Sequence, residues 1–397
     1  MRIGELLTSI GPEEFFDPTD EHRALRRMVR QIAESELEPN VAQDDESEYF
    51  NEKLFRRFGS DFNLFGLTVP VDIGGAGLDP IAPVVVTEEL SVVDAGFALS
   101  YLAHEVLFVH NFFQGAAPEQ IKRVLPRVLD GSWISGIAMT EPEAGTDVLG
   151  MRTTARPTAS GYILNGVKQF ITNAGPGDIF IVYAKTGSDD KSISAFLVET
   201  DRKGVSIGKP EKKLGMRTSP TAQLVFDEVV VPSENLVGTE GRGLVHMMRN
   251  LEIERVVLAA QSLGIARRCL EVGATYAITQ RKQFGQPLSH FGQIQKILAE
   301  GFADYQAART LVYAVAHQID FDERRSAGAA AAKLMAAQMA ERVGRNIIQV
   351  LGGYGYTREY PVERLYRDAI LISIGGGTNE AMEKNLVKDM ALCFKDQ

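Results

Sequence analysis

Cysteine is nearly missing from this 397-residue chain. Cys269 and Cys393 stand alone, without metal-ligand spacing, and cannot build a disulfide framework. A reduced, cytoplasmic compartment is the expectation. Long apolar runs are missing too: no stretch of about 18 uncharged apolar residues occurs, and the alanine-rich Ala327–Ala337 segment is cut by Lys333. The N-terminus has no apolar core behind its first charges, so a signal peptide is not expected. These features predict a soluble protein with no membrane insertion. The six histidines form no His-x-x-x-His or Cys/His cluster, which leaves no candidate metal site. There is no Gly-x-Ser-x-Gly elbow and no Walker loop. The glycine clusters at Gly74–Gly77, Gly352–Gly355 and Gly375–Gly377 do not join a strand to a helix, as a dinucleotide fingerprint requires. Basic patches are lacking as well. A net charge of −10, with both signs interspersed, argues against nucleic acid as a partner.

What is present is an ordinary globular composition, 45% hydrophobic and 24% charged, in a chain too long for one core. Roughly two or three domains are expected, and hydrophobic periodicity divides the chain in three. Over residues 1–132 apolar residues recur three and four apart, as in Leu25, Met28, Val29 and Ile32 or Leu54, Phe58, Phe62 and Leu64, which predicts helices. Over 133–238 short β-branched segments follow one another. They are Thr153–Ala155, Tyr162–Leu164, Ile179–Ala184, Ile193–Val198 and Leu224–Val231. Asn165-Gly166 reads as a hairpin turn and Gly187–Asp190 as another loop. A small antiparallel barrel or sandwich is expected there. Over 239–397 long helical patterns return at Leu251–Gln280, Phe291–Ile319 and Ala327–Leu351, with a last helix after Thr378, as in a four-helix bundle.

One residue stands out physically. Glu254 has Leu251 three residues before it and Val257 and Leu258 three and four after, so its carboxylate falls on an apolar helix stripe. Desolvation there raises a carboxyl pKa and makes a proton acceptor. The alternative is a helix-face Glu that reaches solvent or pairs with a cation. Arg255 beside it can pair with Glu252 three residues earlier.

Several motifs in order carry a resemblance. They are Met139-Thr140-Glu141-Pro142-Glu143-Ala144-Gly145-Thr146-Asp147, then Phe170-Ile171-Thr172-Asn173, then Arg281-Lys282-Gln283-Phe284-Gly285. Gln349-Val350-Leu351-Gly352-Gly353-Tyr354-Gly355 follows, with Tyr360-Pro361, Arg367-Asp368-Ala369 and finally Gly377-Thr378. Together they resemble the signatures of the acyl-CoA dehydrogenases. The resemblance implies a fold that is mainly α with a central β-barrel: a helical N-terminal domain, a β-barrel middle domain and a C-terminal four-helix bundle. It implies FAD as cofactor. Met139, Thr140, Thr146, Phe170, Thr172 and Thr378 would lie at the flavin, and Arg281, Phe284, Gln349 and Gly353 at the ADP half, across a subunit interface. Tyr101, Thr146, Arg255 and Gly375 would surround the acyl-CoA substrate. A homo-oligomer, a dimer of dimers, is implied, with an electron-transfer flavoprotein as acceptor and a place in fatty acid or amino acid catabolism.

The base is where the chain departs from most relatives. A Tyr-Glu-Gly-Thr segment is replaced by Gly375-Gly376-Gly377-Thr378, while Leu251-Glu252-Ile253-Glu254-Arg255 resembles the Leu-Asp-Leu-Glu-Arg of the isovaleryl-CoA dehydrogenase type. That arrangement makes Glu254 the base for the substrate's α-proton as the β-hydrogen leaves as hydride to flavin N5. The amide of Gly376 would stabilise the enolate together with a flavin ribityl hydroxyl. Phe170 replaces a Trp, Thr146 a Ser, and Gly292 stands where relatives carry a Gln. The glycines leave room near the acyl chain, and Ala95-Gly96-Phe97-Ala98-Leu99 after Val93-Asp94 lacks the Arg that relatives acting on dicarboxylic thioesters carry there, so the resemblance implies a neutral short or branched acyl group. Asp94 is either a second site carboxylate or a helix cap. An enoyl-CoA reductase, an acyl-CoA oxidase, a flavin-dependent lyase or a non-catalytic helical binding protein are the alternatives.

Overall fold

Helix caps and period-four burial build the N-terminal third. The computed structural model describes residues 3–189, 191–319 and 326–394. Thr19 accepts the His22 N–H and opens the helix Asp20–Ile32, which buries Leu25, Val29 and Ile32. Asn51 does the same for Glu52–Ser60, which buries Leu54, Phe55 and Phe58. The helix Ile81–Ser91 is buried along its whole length, its apolar residues and its Glu88 and Glu89 alike. It lies against the long helix Gly243–Thr275 at Gly264, where a β-carbon would stand 2.3 Å from the Glu88 carbonyl. Only glycine allows that approach.

Charge also ties these two parts. Glu88 and Glu89 sit inside the seam with Arg26, Arg267 and Arg309. Arg26 lies 2.9 Å from Glu88, and Arg267 lies 2.7 Å from Glu89. Burial alone would raise the Glu88 carboxyl, but the three guanidiniums outweigh it and hold Glu88 at about 2. Removing one member would leave an uncompensated buried charge, a loss of about 3–5 kcal/mol.

The middle region forms one eight-stranded sheet. Its strands are β1 Ser135–Ala138, β2 Thr154–Thr158, β3 Gly161–Thr172, β4 Ile179–Lys185, β5 Ile193–Glu199, β6 Val205–Ile207, β7 Thr221–Pro232 and β8 Leu236–Val237. The order is β6-β7-β3-β2-β4-β5-β8, with β1 parallel to β4. The expected barrel is therefore not closed: β6 and β8 end the sheet, and among the described residues no ladder joins them. These edges are three and two residues long, too short to pair around a barrel. Alternation explains why β4 reads as a continuous apolar run. Ile179, Ile181 and Tyr183 face the helical domain with Phe108, Phe112 and Leu125, while Phe180, Val182 and Ala184 face the sheet's own core.

Asn165-Gly166 is not the expected hairpin. β3 runs through it with a register shift against β7, because Gly166 adopts φ +152° with Thr153 Oγ1 2.4 Å from where a β-carbon would stand. The β2–β3 turn is instead the two residues between Thr158 and Gly161. Of the loop expected at Gly187–Asp190, Asp190 lies outside the described residues.

The C-terminal helices are Gly243–Thr275, Gly292–Ala316, Ser326–Leu351 and Asn379–Leu392, with Val362–Ile372 packed across them. The first continues through a π turn, Tyr276–Gln280, and ends in a small hairpin of β9 Lys282–Gln283 and β10 Gln286–Pro287. The Arg367-Asp368 pair clamps the sheet region to this bundle: Asp368 accepts the Met216 N–H at 2.5 Å, and Arg367 donates to the Leu214 carbonyl and to Asp45.

Candidate active site

Glu254 is buried in a stretch of the long helix, Glu252 to Arg267, where every residue is buried, so that its burial is not a matter of one apolar face. Burial pushes its carboxyl up to about 7, and the charges of Arg255 and Lys333 hold it back from going higher. Arg255 is itself buried. Tyr183 on β4 is close enough for the Glu254 charge to act on its phenol. The solvent-facing alternative for Glu254 does not hold.

The glycine turn meets Glu254. Ile374 and Gly375 donate to the Leu371 carbonyl at the end of Val362–Ile372, and Gly376 and Gly377 then take φ +63° and +90°. Those values favour glycine, which meets them without strain. A β-carbon on Gly376 would stand 3.4 Å from Glu254 Oε1 and 2.2 Å from Leu258 Cδ1. Thr378 closes the turn as N-cap of the last helix, accepting the Ala381 N–H at 3.2 Å.

A second group of expected residues sits on the sheet. Lys168, fully buried, donates to the Met139 carbonyl at 2.9 Å and pairs with Glu141 at 2.7 Å, while the Gln169 N–H takes the Thr140 carbonyl. Glu141 also accepts the Arg152 and Thr153 N–H groups, so this carboxylate of the Thr-Glu-Pro run holds a loop rather than a proton. Because C=O and the next N–H of a trans peptide point opposite ways, the Thr140 N–H is aimed away from Lys168. A bulge between Lys168 and Ile171 turns Phe170 out at φ +58°, 62% exposed, with Thr172 half-buried two residues on. A large aromatic held exposed in a strained conformation beside free loop backbone suits a stacked ring. Thr146 is exposed on the same loop.

Arg281 and Phe284 follow the end of the long helix, while Gln349 ends the helix Ser326–Leu351 and Gly353 lies in the turn Gly352–Tyr356 after it. The Arg281 guanidinium lies 6.0 Å from the Tyr354 ring of the same chain, and Tyr276, Tyr354 and Tyr360 pack together beneath it. Phe284 is 93% exposed, at φ +50°. This cluster is remote from Glu254: 27 residues of continuous helix, at about 1.5 Å each, separate them by about 40 Å.

One expected residue is not brought to the site. Tyr101 is fully buried among Phe58 and Phe65, and its hydroxyl donates to the Leu64 carbonyl at 2.9 Å. Asp94 proves to be the helix cap: it accepts the Phe97 N–H and the Thr218 hydroxyl.

Others were not expected. Lys333, seen in the sequence only as a break in an alanine run, is fully buried and donates to the Gly377 carbonyl at 2.7 Å. Its signal was there, since it is the sole charge between Ser326 and Ala340. Asn250, one helical turn before Glu254 on the same face, lines a cleft of about 670 Å³ with Arg242, Arg249 and Glu252. Its Oδ1 is buried without a hydrogen-bond partner. At the cleft wall His246 donates from Nε2 to the Asn111 carbonyl, and its Nδ1 accepts from Tyr183.

Comparison with known proteins agrees with these features. Residues 19–132, 136–229 and 241–391 match the family descriptions "Acyl-CoA dehydrogenase, N-terminal domain", "middle domain" and "C-terminal domain". The chain is 39% identical over 399 residues to a mitochondrial isovaleryl-CoA dehydrogenase of Oryza sativa subsp. japonica, covering 100% of this chain and 96% of the relative. It is 38% identical to a short-chain specific acyl-CoA dehydrogenase of Clostridium acetobutylicum, covering 93% and 97%. The butyryl-CoA dehydrogenase structure from Megasphaera elsdenii superposes with a TM-score of 0.91 at 36% identity, covering 94% of this chain and 98% of that one. A buried carboxylate against a glycine turn, an exposed aromatic on β3 beside a pinned loop and these matches over the whole fold lead to one conclusion: the chain belongs to the acyl-CoA dehydrogenase family of FAD-dependent oxidoreductases.

Proposed function

We propose that the protein dehydrogenates the α,β-bond of an acyl-CoA thioester with a neutral short or branched acyl group, giving the trans-2-enoyl thioester. One observation carries this reading: the Glu254 carboxyl, buried and poised at about 7, faces the glycine turn where most relatives would place their base. An α-proton of a thioester is a weak acid, so its acceptor must be basic near neutral pH and dry. Glu254 meets both conditions. The Gly376 amide, on the glycine turn, donates to the thioester oxygen as negative charge develops there. Arg255 keeps Glu254 ionised near neutrality. The Asn250 Oδ1 acceptor and the Arg242 and Arg249 cations line a cleft suited to the amides and phosphates of the CoA arm. Bound FAD supplies the acceptor for the β-hydrogen as hydride.

Met139, Thr140, Phe170 and Thr172 would hold the flavin ring, with Thr146 and Thr378 at its edge. Arg281, Phe284, Gln349 and Gly353 would hold the ADP half, but of the FAD of another copy. The motifs alone suggest that an interface brings Arg281 and the Gly352–Gly355 loop together. Instead they meet within one chain, and the separation of about 40 Å from Glu254 is what calls for the second copy. A homo-oligomer, a dimer of dimers, is the assembly we propose, with an electron-transfer flavoprotein as acceptor. Cys269 and Cys393 are free thiols, which suits the cytoplasm.

The test is anaerobic bleaching of the flavin by a panel of linear, branched, cyclic and aromatic acyl-CoA thioesters. Fastest bleaching by a neutral short or branched member is expected. A protein that takes up FAD and is bleached by none of them ends the proposal.

A further inference from the structure

The turn that faces Glu254 is built from the residue type that holds a conformation least firmly. Gly375, Gly376 and Gly377 carry the largest backbone entropy of any tripeptide, and two of them sit at positive φ. On the upstream side the Leu371 carbonyl holds them. On the downstream side the tie is Lys333, from the middle of the helix Ser326–Leu351. Its ammonium is fully buried and donates to the Gly377 carbonyl at 2.7 Å and to Asn379 Oδ1 at 3.4 Å. Asn379 in turn donates to the Ser373 carbonyl and hydroxyl, each at 3.0 Å, and Ser373 donates to Glu341. The network brackets the turn from both ends.

An ammonium is not needed merely to fill this space. Its helix neighbours are alanines, and burying a charge against two neutral acceptors is unfavourable unless carboxylates share the field. They do. Glu254 faces Lys333 from the long helix, Glu380 from the last helix and Glu341 from its own, while Arg255 opposes them. Desolvation and Arg255 lower the Lys333 ammonium to about 8, and the three carboxylates keep it from falling further. Tyr183 and Arg255 are the other groups that share the field of Glu254.

We propose that Lys333 is a positioning residue for the reaction: it anchors the glycine turn through the Gly377 carbonyl and sets a positive charge opposite Glu254. The proposal rests on Glu254 being the base. Lys333 touches neither substrate nor cofactor; it acts through the turn and through the field.

The experiment compares FAD-loaded wild type, Lys333→Met, Lys333→Gln and Glu254→Gln in anaerobic flavin reduction by whichever acyl-CoA bleaches the wild type fastest, across pH 5.5–9 (roughly the range that brackets both groups). Lys333→Met removes hydrogen bond and charge together. Its saturating rate should fall on the order of 10- to 10²-fold, the scale of a misplaced catalytic geometry, with acyl-CoA affinity nearly unchanged. Its rising pH limb should move to higher pH, because a cation near Glu254 is gone. Lys333→Gln can still donate to Gly377 without a charge, so it should recover part of the rate while its pH limb stays displaced. A pH limb and saturating rate at wild-type values in both variants would overturn the proposal. So would a rate loss with the pH limb unmoved and no recovery in Lys333→Gln, since that is the mark of a merely structural lysine. If Lys333→Met does not fold, Lys333→Gln decides alone: a displaced limb supports the proposal and an unmoved one overturns it. Glu254→Gln separates the two ideas. If it reduces flavin normally, the base assignment fails. If it is inactive while the lysine variants behave as wild type, only the role of Lys333 fails.

Discussion

Gly376 stands so close to Glu254 that a β-carbon on it would lie 3.4 Å from the carboxylate oxygen Oε1. Two positions 122 residues apart in the chain, 254 and 376, thus address the same point in space. A carboxylate from either could serve it, and a carboxylate from both would place two like charges in one dry site. Glycine at one position is the complement of glutamate at the other.

Glu254→Gln keeps the shape of the side chain and removes the proton acceptor. The variant should retain FAD and bind acyl-CoA, while anaerobic flavin bleaching slows by at least ~10²-fold. Stopped-flow absorbance at the flavin band reads both. Bleaching at the wild-type rate would falsify the assignment of the base.

Moving the base across is harder than exchanging two residues. A side chain at 376 meets Leu258 Cδ1 at 2.2 Å and must accept φ +63°, a strain of roughly 1–2 kcal/mol. Glu254→Gly with Gly376→Glu should therefore stay nearly inactive. Adding Leu258→Ala should recover part of the rate, with straight-chain substrates favoured over branched ones because the new side chain occupies space beside the acyl group. No recovery in a triple variant that holds its FAD and binds acyl-CoA would count against the shared position.

The pH dependence follows from the sign of the shift. The Glu254 carboxyl is raised from 4.5 to about 7 and must be ionised to accept a proton. kcat/KM should rise with pH through about 7 and fall about tenfold per unit below it. A limb that lies near 4.5 instead would mean that the site is wetter than its burial indicates.

Subunit mixing tests the shared FAD site. Arg281→Ala should weaken FAD retention and Glu254→Gln should block reduction, each abolishing activity alone. In a hybrid of the two, one site carries both defects and the other carries none, if Arg281 serves the neighbour's FAD. Co-expression should restore about a quarter of wild-type activity at random pairing. Zero restoration with hybrids verified by mass spectrometry places both residues at one chain's own cofactor.

A last prediction concerns the seam between the helical domain and the sheet. His104 donates from Nε2 to the Val128 carbonyl and accepts the Ser135 N–H on Nδ1, and burial depresses its pKa to about 3. Below about 6.5 the unfolded chain takes up a proton that the folded one refuses. Its contribution therefore declines as pH falls, by about 1.4 kcal/mol per unit. His104→Gln should be less stable than wild type at pH 7, and the gap in melting temperature should narrow toward pH 5. The raised carboxyls Glu105 and Asp368 act in the opposite direction but cancel in that difference. A gap constant with pH would mean that His104 is protonated in the fold.

Much of the molecule is legible without coordinates, for reasons of short range. The helical period at Leu25–Ile32 reports which face is buried, and the cap at Thr378 is a matter of one hydroxyl three residues from its partner. The stripe at Leu251–Leu258 does not, because that helix is buried on every side from Glu252 to Arg267 and Leu251 only in part. Glu254 is conspicuous because a carboxylate on an apolar stripe conflicts with its surroundings. The family motifs mark the loops at Met139–Asp147, Arg281–Gly285 and Gln349–Gly355.

Long-range geometry was not legible. Asn165-Gly166 has the chemistry of a hairpin, yet Thr153 beside it and β7 opposite it keep β3 running through and turn the glycine into a bulge. An open sheet and a closed barrel have the same strand patterns, and the difference rests on two edges only two and three residues long. Tyr101 and Lys333 show the point in opposite directions. A tyrosine expected at the substrate spends its hydroxyl on Leu64, while a lysine in an alanine run reaches the turn beside Glu254. Local sequence determines what a residue can do, because charge, size and donor count travel with the side chain. Which partner it meets is decided only when helices distant in the chain pack together and bring Lys333, Gly377 and Glu254 into one field.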